Sequence, residues 1–155
     1  MSTAGPAASG GVRLFDELMA EVTAATAHFD HRAHLHLTWL AVRRVGMPAA
    51  VGLVGEGIRR TARSAGAPQK YHATLSRAWV ELVAYHAADR PTTEDFAAFV
   101  ERHPLLLDKH LLTRFYHSTT LAGARARTDW VAPDRAPFPW HSGGRPIEGG
   151  DRPAA

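Results

Sequence analysis

Four of the chain's ten histidines fall within nine residues: His28, His31, His34 and His36. Imidazole is the side chain best suited to binding a metal or moving a proton near neutral pH. Asp30 is a favourable N-cap, so the spacing predicts a helix that opens there with His31 and His34 three residues apart on one face. His36 then points elsewhere, and His28 precedes the helix. The positive end of the helix macrodipole disfavours an imidazolium in the first turn and so keeps both rings in the neutral form that ligates metals and accepts protons. A third ring is expected from His72, in Lys70-Tyr71-His72-Ala73-Thr74 at the start of a later helix, provided the two helices run parallel and bring their first turns together. His86 lies about 21 Å further along that helix and cannot complete the same site.

Three neutral imidazoles with an open position suit iron, copper or zinc. Asp30 is used as a cap, which leaves Glu56 and Glu81 as the possible carboxylate additions. Tyr71 and Thr74 stand beside His72 and could orient a bound group, although a tyrosine and a threonine at a helix start also serve as caps and core edges. Lys109 is one of only two lysines among 18 basic residues. Its ammonium could meet an anionic group, or it could stand in solvent.

The elements that must position these residues are helical. Apolar residues recur at helical spacing over about 12–27 (Leu14, Leu18, Val22, Ala25), 30–45, 48–64 (Val51, Val54, Ile58) and 69–87 (Leu75, Trp79, Leu82, His86). Gly46-Met47-Pro48 and Gly66-Ala67-Pro68 supply the breaks. Thr92 or Thr93 is expected to cap a fifth helix carrying Phe96, Phe99 and Val100, closed by His103-Pro104. A sixth is expected over about 105–116 and a short helical turn over 118–125. The stretch Trp130 to Trp140, punctuated by Pro133 and Pro137, should lie extended across the bundle, pinned by Trp130 and Phe138. No segment alternates with period two, so no strand is expected. The fold class that follows is all-α: a compact single-domain bundle of five to six helices over residues 12–140, with an extended Pro-rich C-terminal segment. Residues 1–11 and 141–155 read as Gly/Pro-rich tails.

Composition narrows the function classes. With 45% hydrophobic and 21% charged residues the chain has the makings of a folded core. It has no cysteine, which removes disulfides, thiolate metal sites and cysteine nucleophiles. No apolar run is long enough to span a bilayer, and Met1–Gly11 has no signal-peptide h-region, so the expectation is a cytoplasmic protein without a membrane partner. The sequence pI of about 9.8 reflects scattered arginines and a net charge of only +3. Arg43-Arg44 and Arg59-Arg60 read as solvated helix faces, and no nucleic-acid partner is expected.

Phe29-Asp30-His31-Arg32-Ala33-His34 followed by Thr38-Trp39, then Tyr71-His72-Ala73-Thr74, and later Phe115-Tyr116-His117-Ser118 with Pro133-Asp134, resemble a family of short uncharacterised bacterial helical proteins with the pattern F-x-H-R-x-H … Y-H-x-T. The resemblance spans about residues 28–138. It implies no activity, only recurring positions: His31, Arg32, His34, Trp39, Tyr71, His72, Thr74, Lys109 and Tyr116.

Three functions are then in play for a chain acting on or binding a small molecule. One is a metal-dependent enzyme with His31, His34 and His72 as ligands and Tyr71, Thr74, Lys109 and Tyr116 near the substrate. Another is a metal-free general acid/base enzyme. The third is a non-catalytic helical protein that binds a small ligand or a partner, expected if the histidines are buried and mutually hydrogen-bonded with no cavity beside them.

Overall fold

A computed structural model describes residues 6–88 and 94–142, with side chains placed for 10–88 and 94–140. All its regular structure is helical: α1 (Pro6–Ala25), α2 (His31–Val45), α3 (Met47–Ser64), α4 (Ala73–Ala87), α5 (Phe96–Arg102), α6 (Ser118–Ala122), α7 (Ala124–Thr128) and α8 (Pro139–Ser142). Three 3-10 turns, Pro68–Lys70, Pro104–Leu107 and Leu111–Arg114, join them.

Local chemistry sets the ends of the long helices. The Asp30 carboxylate accepts from the Ala33 amide at 3.0 Å and opens α2. Gly46, at φ 82°, closes it in a conformation that side-chain-bearing residues avoid, and Pro48 sits at the start of α3.

α2 lies at the centre. Leu35 and Trp39 point into one cluster with Trp79, Leu82, Phe99, Leu106, Leu112, Tyr116 and Phe138. Ala33, Leu37 and Ala41, also at i, i+4 spacing, point into a second cluster with Phe15, Leu18, Val22 and Val54. α4 feeds both clusters, through Trp79 and Val80. Two buried stripes explain why α2 and α4 carry so much apolar residue around their circumference.

Several boundaries differ from expectation. α1 begins at Pro6, inside the segment read as a tail, because proline is pre-organised for a first helical turn and the following alanines favour helix. Thr92 and Thr93 lie outside the described residues, and the cap of α5 is Asp95, whose carboxylate accepts from Ala98. The helix expected over 105–116 is instead two 3-10 turns. Asp108 breaks them apart, since its side chain accepts from the His110 amide and offers the backbone an alternative to helix. Gly123 divides the 118–125 turn into α6 and α7. The 129–138 segment is irregular and crosses α4, but the end of the stretch expected to be extended, Pro139 and Trp140, is taken up by α8. Thr74 holds it, and Phe138, 0% exposed, anchors it.

Candidate functional site

His31 and His34 occupy the first turn of α2, as the spacing requires. The His31 Nε2–H donates to the Leu106 carbonyl at 2.8 Å, so Nδ1 is the nitrogen left open to another partner. Its ring meets that of Trp79 edge-on, centroids 4.7 Å apart. His34 is half-buried beside Phe29, and its ring has no hydrogen-bonding partner among the described residues. Burial, reinforced by the charge of His31, lowers its pKa to about 4. The neutrality expected from the helix dipole therefore comes chiefly from desolvation.

This gives a pH dependence. Between 6.5 and 4 the unfolded chain takes up a proton that folded His34 refuses, so acid favours unfolding. Stability is expected to fall by roughly 3 kcal/mol across that window and then level off below it. Urea denaturation of the wild type and His34→Leu at pH 4, 5, 6 and 7 checks this. The difference between the two proteins should shrink by that amount toward pH 4, and a pH-independent difference would remove His34 from the account.

The third histidine is placed otherwise. Pro68 opens a 3-10 turn and Tyr71 is extended, so α4 starts only at Ala73, with His72 as its N-cap rather than in its first turn. His72 Nδ1 accepts from the Leu75 amide at 3.1 Å, and Nε2–H donates to the Leu121 carbonyl at 2.8 Å. Both nitrogens are engaged, so ligation would require breaking one of these bonds. α2 and α4 do run parallel, but in an offset register. His31 meets Trp79 edge-on, about 10 Å along α4 from His72, and Trp39 and Val42 lie level with Ala84 and Ala87. The N-terminal ends do not meet. Among the described residues, no three His, Asp or Glu side chains are grouped so as to hold a metal ion.

Two of the remaining candidates are tied into the fold. Thr74 is buried, donates to the Asp129 carbonyl at 2.7 Å and accepts from the Val131 amide at 3.1 Å. Tyr116 is fully buried and donates to the Val131 carbonyl at 2.7 Å, and burial pushes its pKa well above the usual range. Lys109 stands exposed in the turn between two 3-10 segments. Glu81 is buried, with Oε2 2.7 Å from Arg77 Nε and Oε1 accepting from the Trp140 indole at 2.9 Å.

Tyr71 is different. It lines a cleft of about 470 Å³ together with Glu56, Arg59 and Arg63 of α3, Pro68, and Arg127 and Thr128 of α7. Arg59 reaches Glu56 at 3.9 Å, Arg127 donates to the Gln69 carbonyl, and Arg63 has no partner among the described residues. Burial and Glu56 raise the Tyr71 pKa while Arg59 opposes them, so the phenol stays a hydrogen-bond donor. Its hydroxyl borders a notch over Gly55, where a Cβ would lie 3.5 Å from the Tyr71 oxygen and 3.8 Å from Ser76 Oγ. Ser76 Oγ is buried and has no hydrogen-bonding partner among the described residues. Three guanidinium groups and a phenol can clamp an anion through charge-assisted hydrogen bonds.

Sequence reasoning singled out Tyr71 but took the arginines for solvated faces. The i, i+4 spacing of Arg59 and Arg63 was visible, yet Arg127 joins them across more than sixty residues of chain. No protein-family model, no curated protein and no solved structure matches this chain.

Proposed function

We propose that this chain is a non-catalytic helical protein that binds a small anionic molecule in the cleft between α3, the Pro68–Lys70 turn and α7. The observation that carries this reading is the convergence of Arg59, Arg63, Arg127 and Tyr71 on one cavity, with Glu56 the only acidic side chain among the described residues lining it. The histidines meet the expected condition only in part, since none of the three bonds to another and the His34 ring has no hydrogen-bonding partner among the described residues. His31 and His72 are hydrogen-bonded to backbone, and none of the cavities described is lined by His31, His34 or His72.

Titration calorimetry with inorganic phosphate tests the reading. Saturable binding is expected, weakened by added salt and reduced at least about tenfold by Arg63→Glu, since a hydrogen bond to a charged partner contributes about 1.5–3 kcal/mol. Arg63 is exposed, so the variant should fold. Equal affinity in the two proteins would refute the site.

A second reading rests on a separate observation: two imidazoles sit side by side on α2, His31 with a free Nδ1 and His34 with no hydrogen-bonding partner. In that reading His31 and His34 hold iron, copper or zinc with water or substrate in the remaining positions, and the chain is a metal-dependent enzyme acting on a small molecule. The metal would lower the pKa of its bound water. The purified wild type should then carry stoichiometric metal by elemental analysis, and His34→Ala should carry none.

A further inference from the structure

We infer that the ligand of the cleft is an anionic amphiphile, a single-chain phosphate monoester whose headgroup sits among Arg59, Arg63 and Arg127 and whose alkyl chain lies in the groove between α1 and α3. The inference rests on the anion-binding reading above and names the class of molecule.

The groove is an apolar cavity of about 540 Å³, and its walls include Val12, Leu14, Val45, Ala49 and Leu53. Val12 and Val45 remain 40% and 37% exposed at its edges. Such a volume with mainly apolar walls is that of a small-molecule site. Only Glu56 and Arg60 among its lining residues are charged. Glu56 also lines the cationic cleft, so the two cavities meet at that residue.

The shared helix fixes the polarity of the surface. Along α3, Gly52, Glu56, Arg59 and Arg63 follow one another at three- and four-residue steps and form one strip. From Gly52 to Arg63 the strip is about 16 Å long. Its N-terminal half is apolar and open, and its C-terminal half carries the guanidinium groups. Arg59, Arg60, Arg63 and Arg127 against Glu56 leave the surface net +3. An anionic head with an apolar chain matches that division in both charge and order.

The floor of the groove supports the same occupant. Gly10, Gly11 and Gly52 all lie inside helices, where each glycine costs about 1 kcal/mol relative to alanine. Among the described residues, nothing beyond the chain neighbours and the backbone of the same helix lies within 4 Å of a Cβ built on any of them, so that packing does not require their smallness. Side chains at these positions would fill the groove.

The test compares inorganic phosphate, butyl phosphate and dodecyl phosphate by titration calorimetry, the last kept below its critical micelle concentration. Each buried methylene tightens binding roughly fourfold, so dodecyl phosphate should bind at least about a hundredfold tighter than butyl phosphate. Gly52→Glu places a carboxylate in the groove without a steric clash. It should abolish the chain-length dependence while leaving inorganic phosphate affinity unchanged. Arg63→Glu should weaken all three ligands. Equal affinity for butyl and dodecyl phosphate, with phosphate binding intact, overturns the amphiphile and leaves the anion site standing. Loss of phosphate binding altogether overturns the underlying reading. Dodecyl phosphate binding unaffected by both variants places the chain elsewhere and overturns the inference. So does association with phosphatidic acid vesicles without binding of the monomeric amphiphile, which would make the strip a membrane-docking surface.

Discussion

Gly57→Val is expected to lower the stability of the protein by about 3 kcal/mol, and Gly52→Ala, five residues earlier on the same helix, to raise it by about 0.5–1 kcal/mol. Both glycines are inside α3, and both give up helix propensity. They differ in what faces them. A Cβ on Gly57 would lie 2.0 Å from the ring of Phe15, well inside contact distance, and that ring is 3% exposed and closes α1 onto α3. The ring cannot retreat without opening the cluster of Leu18, Val22, Leu37 and Val54 behind it. Overpacking of this kind costs about 1–3 kcal/mol, and a β-branched side chain stands at the upper end. Among the described residues no side chain and no other helix stands within 4 Å at Gly52, so alanine there gains propensity alone. Thermal and urea denaturation of the two variants checks the pair. For a chain of this length the valine variant should melt about 6–12 °C below the wild type. Shifts of the same sign in both variants would mean that α1 does not pack on α3 through Phe15.

Thr74→Val should cost about 2–4 kcal/mol despite its near-identical shape. The hydroxyl works twice, donating to the Asp129 carbonyl and accepting from the Val131 amide, and valine can do neither. Two backbone groups of the crossing segment then lose their partners, at about 1–3 kcal/mol for each that stays buried. Asp129 is exposed and can recruit water, which keeps the sum below its maximum. The loss should be concentrated in the 129–138 segment, since the Tyr116 bond to Val131 remains as its next tether. Limited proteolysis reads this directly: cleavage between Asp129 and Phe138 should accelerate in Thr74→Val and stay at the wild-type rate in Thr74→Ser. A valine variant with unchanged cleavage would show that Phe138 and Tyr116 hold the segment without Thr74.

Much of the local structure was legible because near neighbours in the chain determine it. Asp30 as a cap, the breaks at Gly46 and Gly66, and the inward residues Leu18, Val22, Trp79, Leu82, Phe96, Phe99 and Val100 all follow from spacing and turn chemistry. Where residues offered competing local bonds, periodicity misled. Asp108 diverted the expected sixth helix into 3-10 turns, and the His72 side chain capped the helix it was expected to occupy.

By itself, then, the sequence determined an all-α chain, the helical register of His31 and His34, and a C-terminal segment that cannot be helical between its prolines. Tertiary structure decided the rest. It set α2 against α4 with an offset that pairs His31 with Trp79 instead of His72, pressed Phe15 onto Gly57, and carried Arg127 to the side of Arg59, Arg63 and Tyr71. The physical reason is range. A cap or a turn is chosen by residues three or four apart. The offset of two parallel helices is chosen by the summed burial of their whole faces, and no single residue along either helix records it.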